Sequence, residues 1–221
     1  MPETTVRLAV FDLDNTLLAG DSDYLWGRFL VDQGLVDAEH YERENRRFYA
    51  AYVAGTLDIH AFAEFSLKPL TQHPPSTLHQ WREAFVRTVI KPIIAPRAGG
   101  LLTQHRMRGD TILITTATNA FITGPIAELL GVENLIATQP EMIDGRYTGR
   151  LSGTPNFQDG KVANLSAWLE RHPPVSHISC YSDSHNDLPL LEMADAPVAV
   201  DPDEKLKQLA ERRQWPVISL R

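Results

Sequence analysis

Apolar positions along the chain fall into two regimes. From Val6 to Leu13 they run nearly unbroken, as "VRLAVFDL", in a short stretch ended by turn-type residues, which predicts a buried strand. From Leu18 to about Ile93 they recur at helical spacing instead. "SDYLWGRFLVDQG" puts Leu25, Phe29 and Leu30 on one face and stops at Gly34, and "AEHYERENRRFYAAYVAG" carries Tyr41, Phe48, Tyr49 and Tyr52 and stops at Gly55. "DIHAFAEFSL" is shorter and is expected to end before Pro69. "PPSTLHQWREAFVRTVIKP" opens on prolines suited to a first turn and closes at Pro92. No strand is predicted in this tract.

Strand and helix then alternate. "DTILITTAT", "NLIATQ", "SHISCYSDS", "APVAV" and "PVISL" read as strands, and "FITGPIAELLG", "GKVANLSAWLERH", "DLPLLEMAD" and "DEKLKQLAERR" as helices. "EMIDGRYTGRLSG" reads as a hairpin turning at Asp144-Gly145. Such alternation predicts an α/β fold, a parallel sheet with helices on both faces, interrupted after its first strand by an all-helical insertion. The expected division is a core of residues 1–17 and 94–221 and a helical cap of residues 18–93.

Composition narrows the function. The chain has 221 residues, 43% hydrophobic and 22% charged, which suits a globular protein of one large domain or one core with an inserted module. A net charge of −7 with no Lys/Arg run argues against a nucleic-acid partner. No apolar stretch approaches the roughly 18 residues of a membrane span. The start "MPETTVRLAV" lacks a signal layout. The one cysteine, Cys180, has no partner for a disulfide and reads as a small core residue. The expectation is a cytoplasmic protein without a membrane partner.

The chemistry lies where strands end, since open α/β sheets bind ligands beyond the carboxyl ends of their strands. Three polar clusters fall there: Asp12-Leu13-Asp14-Asn15-Thr16, Thr115-Thr116-Ala117-Thr118-Asn119, and Ser182-Asp183-Ser184-His185-Asn186-Asp187. Lys161 opens a helix between the second and third. Asp12 and Asp14, two residues apart after a strand, crowd like charges, which a cation or a proton relieves. Carboxylates, hydroxyls and one lysine at a sheet mouth suit phosphate-ester chemistry. Asp12 attacks phosphorus, Asp14 serves as general acid and then base, and Thr and Lys hold phosphoryl oxygens. Asp183 completes a site for Mg²⁺, which favours oxygen ligands. Taken singly, each residue has a plainer reading as a turn, a cap or a solvated side chain; the order of the set carries the argument. "GTPNFQDGK" is not a phosphate loop, because Pro155 stands at its first glycine position and Val162 at its Ser/Thr position. His60, His73 and His79 lack metal spacing, and His185 is not expected to be a ligand.

D-L-D-N-T, a hydroxyl after a strand, a lysine, and S-D-x-x-N-D, in that order, resemble the haloacid dehalogenase superfamily. The insertion after the first motif is similar to its phosphoserine-phosphatase-like branch. The resemblance runs from about Val6 to Val200 and implies a Rossmann-like core, Mg²⁺ dependence and an aspartyl-phosphate intermediate. It implies Asp12 as nucleophile and Asp14 as acid/base. It implies metal ligation by Asp12, the Asp14 carbonyl and Asp183, phosphate contacts from Thr116, Ala117, Lys161 and Asn186, and a supporting position for Asp187. Ser182 and Ser184 stand where that branch typically has glycines, and Thr116-Ala117-Thr118 where it has S-G-G or S-A-S. Asp14 favours phosphoryl chemistry over dehalogenation, since halide needs no proton.

Asp21 matches a position that is acidic in phosphoserine phosphatases and reads either as a contact for a substrate ammonium or as the cap of the helix at Ser22. Arg46 and Arg47 read either as contacts for a substrate carboxylate or as a solvated face. The expected activity is a phosphomonoesterase acting on a small phosphorylated metabolite such as phosphoserine or histidinol phosphate. The rivals are a phosphotransferase or phosphomutase with the same intermediate, and a phospho-accepting regulatory module.

Overall fold

Leu8, Ala9, Val10 and Phe11 of β1 (Val6–Phe11) are buried on both faces, as a central parallel strand requires. The computed structural model describes residues 5–221, so the first residues assigned to the core lie outside it. β1 pairs in parallel with β2 (Thr111–Asn119) on one side and β5 (Val175–Ser182) on the other. β3 (Asn134–Ile143), β4 (Arg146–Ser152), β6 (Ala196–Val200) and β7 (Val217–Ile218) complete the order β4-β3-β2-β1-β5-β6-β7. All pairs are parallel except β3–β4. That hairpin turns at Asp144 and Gly145, both with positive φ (48° and 72°), the conformation that suits tight two-residue connections. Strand order reverses at β1, and the crevice there is where such sheets take ligands.

Between β1 and β2 lie α1 (Ser22–Asp32), α2 (Ala38–Ala54), α3 (Ile59–Gln72), α4 (Pro75–Phe85) and α5 (Ala98–Met107). The first four form the helical insertion. It leaves and rejoins the sheet through one short stem, where Leu18 pairs with Ile94 in an isolated antiparallel bridge. The stem is flanked by hydrogen bonds from Ala19 N to Ile93 O (2.7 Å) and Ala95 N to Leu17 O (2.9 Å). α3 runs on through Pro69, past the expected stop. Leu67, Pro69 and Leu70 are all buried, so packing outweighs one lost backbone bond near the helix end. α5 carries no strong periodicity, and Gly99-Gly100 in its first turn weakens its intrinsic preference. Burial of Ala98, Leu102 and His105 holds it.

α6 (Ala120–Leu129), α7 (Asp159–Leu169), α8 (Leu188–Met193) and α9 (Glu204–Arg213) link the later strands. One apolar cluster joins Phe11, Ile112 and Ile114 of the sheet to Phe121 and Ile126 of α6 and continues into Trp26, Leu30, Leu67 and Phe85 of the insertion. A second cluster lies on the other face, with Leu8, Val10, Leu165 and Cys180. Cys180 is fully buried, and that burial pushes its thiol well above the ordinary range, as a core position implies.

Candidate active site

Asp12 leaves the end of β1 with its N–H on the Tyr181 carbonyl of β5 (2.9 Å). Residues 13–17 form a tight loop, closed from Leu18 N to Leu13 O, in which Asp14 is extended and Asn15 is left-handed (φ 58°), a conformation asparagine tolerates. Asp14 is then held on both sides. Its Oδ1 accepts from Ser22 N (2.6 Å), and its Oδ2 accepts from the hydroxyls of Thr118 (2.8 Å) and Thr116 (3.3 Å) at the end of β2.

Lys161 arrives from the opposite side. The turn before α7 is strained at Gln158 (φ 49°, ψ −121°), and a Cβ on Gly160 would run into the Pro155 carbonyl. Asn156, fully buried, ties this turn to the neighbouring strand ends. Its Nδ2 lies within hydrogen-bond range of Thr115 Oγ1 (2.9 Å), Thr116 O (2.9 Å) and Ile136 O (3.1 Å). The result is a buried Lys161 ammonium 2.7 Å from both Asp12 Oδ1 and Asp187 Oδ2. Burial works against that charge, but the two carboxylates outweigh it and hold the ammonium above its ordinary range.

Asp183 closes the group. Thr16 Oγ1 lies 3.3 Å from Asp12 Oδ2 and 3.2 Å from Asp183 Oδ1, and accepts from Asp183 N (3.1 Å). One hydroxyl proton serves one carboxylate at a time, so the two carboxylates face a common space with too few donors. Burial raises Asp12 to about 7, with Lys161 opposing and Asp187 and Asp14 adding to the rise. Burial, then Asp12 and Asp187, push Asp183 well above the usual carboxylate range. A buried group of carboxylates served by one ammonium fits a hard divalent cation. Among the described residues no three Asp, Glu, His or Cys side chains converge on one point. Two carboxylates with backbone oxygen and water suit a small ion that keeps part of its hydration.

The two serines of the third cluster have partners. Ser182 Oγ donates to Asp187 Oδ2 (2.7 Å) and accepts from Ser184 N (3.2 Å), and Ser184 Oγ accepts from Asn186 N (3.2 Å). Ser184 Oγ also accepts from the hydroxyl of Tyr52 at the end of α2 (3.0 Å). Asn186 Nδ2 donates to Tyr52 O (3.1 Å) and Lys205 Nζ to Val53 O (3.0 Å), so the end of α2 is fastened over this loop. Asn186 Oδ1 accepts from Gln158 Nε2 (3.0 Å). Its amide is thus engaged with α2 and the Lys161 turn. His185 Nδ1 lies 2.6 Å from Asp203 Oδ2 and its Nε2 3.3 Å from Lys205 Nζ.

Over Asp12 and Asp14 lies a cavity of about 740 Å³, including its open mouth. Its walls include Ala117, Thr118, Asp21 and Asp23, with the rings of Phe48, Tyr52, Phe62 and Phe157. Asp21 caps α1, accepting from the backbone N–H groups of Asp23 (3.0 Å) and Tyr24 (2.9 Å), and it also lines the cavity, so both of its readings coexist geometrically. Arg46 lies farther out, in an adjoining cleft with Arg28, Glu42 and Tyr49. Arg47 is outside both, paired with Glu44 (2.9 Å). Sequence reasoning did not single out Asp23, Thr118 or Asn156. Thr118 lies inside the second cluster, Asp23 stands in the first turn of a helix, where acids are common, and Asn156 belongs to no motif.

A family model described as haloacid dehalogenase-like hydrolase matches residues 9–192. A histidinol-phosphatase of Neisseria meningitidis serogroup C (strain 8013) is 43% identical over 220 residues, covering 97% of this chain and 99% of that protein. A protein of unknown function from Bordetella pertussis Tohama I superposes with a TM-score of 0.92 at 44% identity, covering 99% of this chain and 100% of that one. A phospho-aspartyl intermediate analogue of phosphoserine phosphatase superposes with a TM-score of 0.69 at 17% identity over 99% and 95% of the two chains, a likeness of fold.

Proposed function

We propose, from the premise that the chain belongs to the haloacid dehalogenase-like hydrolase family, that it is a Mg²⁺-dependent phosphomonoesterase working through an aspartyl-phosphate. Its substrate is a small amine-bearing phosphate ester such as histidinol phosphate or phosphoserine. The observation that carries this is the placement of Asp12 at the floor of the cavity, between Lys161 and the Thr16–Asp183 pair and beside Asp14. Residues 18–93 serve as the cap that shields this floor from water.

Asp12 Oδ1 is occupied by Lys161, while among the described residues Oδ2 meets only a long contact from Thr16, which leaves Oδ2 to attack phosphorus. The phosphorus–ester oxygen bond breaks, and protonated Asp14 delivers its proton to the departing alkoxide. Thr118 and Ser22 N hold Asp14 in place for this transfer. Lys161 has three donors and uses two on carboxylates, leaving one for a phosphoryl oxygen, joined by Thr116 and Ala117 at the end of β2. Asp14, now ionised, takes a proton from water. That water attacks phosphorus, the Asp12–phosphorus bond breaks, and inorganic phosphate leaves. Asp12, Asp183 and the Asp14 carbonyl would hold Mg²⁺, which when bound offsets the carboxylate charge and polarises the phosphoryl group.

The test is turnover of p-nitrophenyl phosphate with Mg²⁺ and with EDTA. Turnover is expected only with the metal. Asp12→Asn is expected to abolish it with the fold intact by circular dichroism, and Asp14→Asn to slow it about 10²–10⁴-fold. Wild-type rates from Asp12→Asn would remove the nucleophile assignment. Release of inorganic phosphate in step with nitrophenol separates hydrolysis from transfer to an added alcohol.

A further inference from the structure

We propose that Asp23 determines the specificity of this site, selecting phosphate esters whose far end is a ring-bearing organic cation without a carboxylate. The proposal rests on the phosphatase reading above and concerns the opposite end of the substrate.

The cavity is one-sided in charge. Asp12, Asp14, Asp21 and Asp23 line it, and among the described residues no Lys, Arg or His does. The buried Lys161 ammonium pairs with Asp12 and Asp187, and its remaining donor serves the phosphate end of the substrate. A cation held beside Asp12 would offset the charge there, but not that at Asp21 and Asp23. Asp21 Oδ1 already accepts two backbone N–H groups. Among the described residues, the Asp23 side chain has one hydrogen-bond partner, Asn119 Nδ2 at 3.5 Å, the outer limit of a hydrogen bond. Burial, then Asp21 and Asp14, push Asp23 well above the usual carboxylate range, as expected of a carboxylate lacking a cation.

Asp23 is also held at a fixed reach from the chemistry. It sits in the first turn of α1, whose Ser22 N binds Asp14 Oδ1 (2.6 Å) and whose Trp26 packs in a cluster with Phe29, Phe85 and Phe121. The carboxylate is therefore rigidly spaced from the group that protonates the leaving oxygen. The rings of Phe48, Tyr52, Phe62 and Phe157 complete the walls, a surface that favours a flat cation by stacking and cation–π attraction. The arginines lie in the outer cleft, where Arg28 is bound to Glu42 (2.8 Å). A carboxylate a few bonds from the ester oxygen, as in phosphoserine, would sit in the inner space against like charge with no cation to meet it.

The experiment compares kcat/KM of the full chain with Mg²⁺ on histidinol phosphate, phosphoserine and p-nitrophenyl phosphate. The wild type is expected to favour histidinol phosphate over phosphoserine by at least about 100-fold. Asp23→Asn is expected to lower the ratio of histidinol phosphate to p-nitrophenyl phosphate about 10–100-fold, mainly through KM, with partial recovery in Asp23→Glu. An unchanged ratio, or phosphoserine used as well as histidinol phosphate, overturns the proposal. Binding of histidinol phosphate by calorimetry, Asp12→Asn against Asp12→Asn/Asp23→Asn, reads the same contact without turnover. Weaker binding in the double variant supports the proposal even if the catalytic assignment fails, and equal binding overturns it. Absence of metal-dependent turnover of p-nitrophenyl phosphate, by contrast, counts against the phosphatase reading alone.

Discussion

Asp21 shows how one carboxylate can carry both a structural and an electrostatic load. It caps α1, yet burial, then the neighbouring Asp14 carboxylate, raise it from the usual 3.8 to about 7. A carboxyl raised on folding keeps a proton that the unfolded chain has already lost, so the folded state binds more protons between about pH 4 and 7. Stability of the metal-free protein should therefore fall as pH rises through that window. Asp21→Asn, which still caps a helix, should make the fall in urea midpoint shallower. Asp12, Asp14, Thr116, Lys161 and Asp183 were legible in the sequence because strand-end position and chain order are linear properties, and the structure brings them to one mouth. Asp23 and Asn156 were not legible. Their importance lies in what a distant element presents to them, Phe62 and Asn119 for one and the ends of β2 and β3 for the other.

Among the elements, those with strong period or clear punctuation were readable: β1, α1, α2, the β3–β4 hairpin and the alternating units after it. α5 was missed because its glycines mask a helix that tertiary burial maintains, and the end of α3 because proline outweighs packing in a local reading. The Pro155–Gly160 turn has the opposite character, with its chemistry hidden in its backbone. Gly160→Ala should push the turn off the Pro155 carbonyl and displace Lys161. A loss of about 1–3 kcal/mol in urea unfolding is expected, together with a fall in kcat larger than any change in KM. An alanine variant with wild-type stability and kcat would show that the turn relaxes freely.

At the scale of the whole molecule, the sequence suggests two parts, a sheet and a cap of residues 18–93. The apolar cluster beginning at Phe11 and Ile114 does not stop at that boundary but runs on through Trp26, Leu67 and Phe85. The end of α2, by contrast, meets the sheet side through hydrogen bonds from Tyr52, Asn186 and Lys205. α1 and α4 are thus joined to the sheet by apolar packing, and the end of α2 by hydrogen bonds.

That shared cluster has a thermodynamic corollary. Excised, residues 18–93 would expose Trp26 and Phe85 to water and should fail to give dispersed amide resonances. Scanning calorimetry of the intact chain should yield one endotherm whose measured and van't Hoff enthalpies agree. Two separated endotherms would mean that the boundary in the sequence is also a boundary in cooperativity.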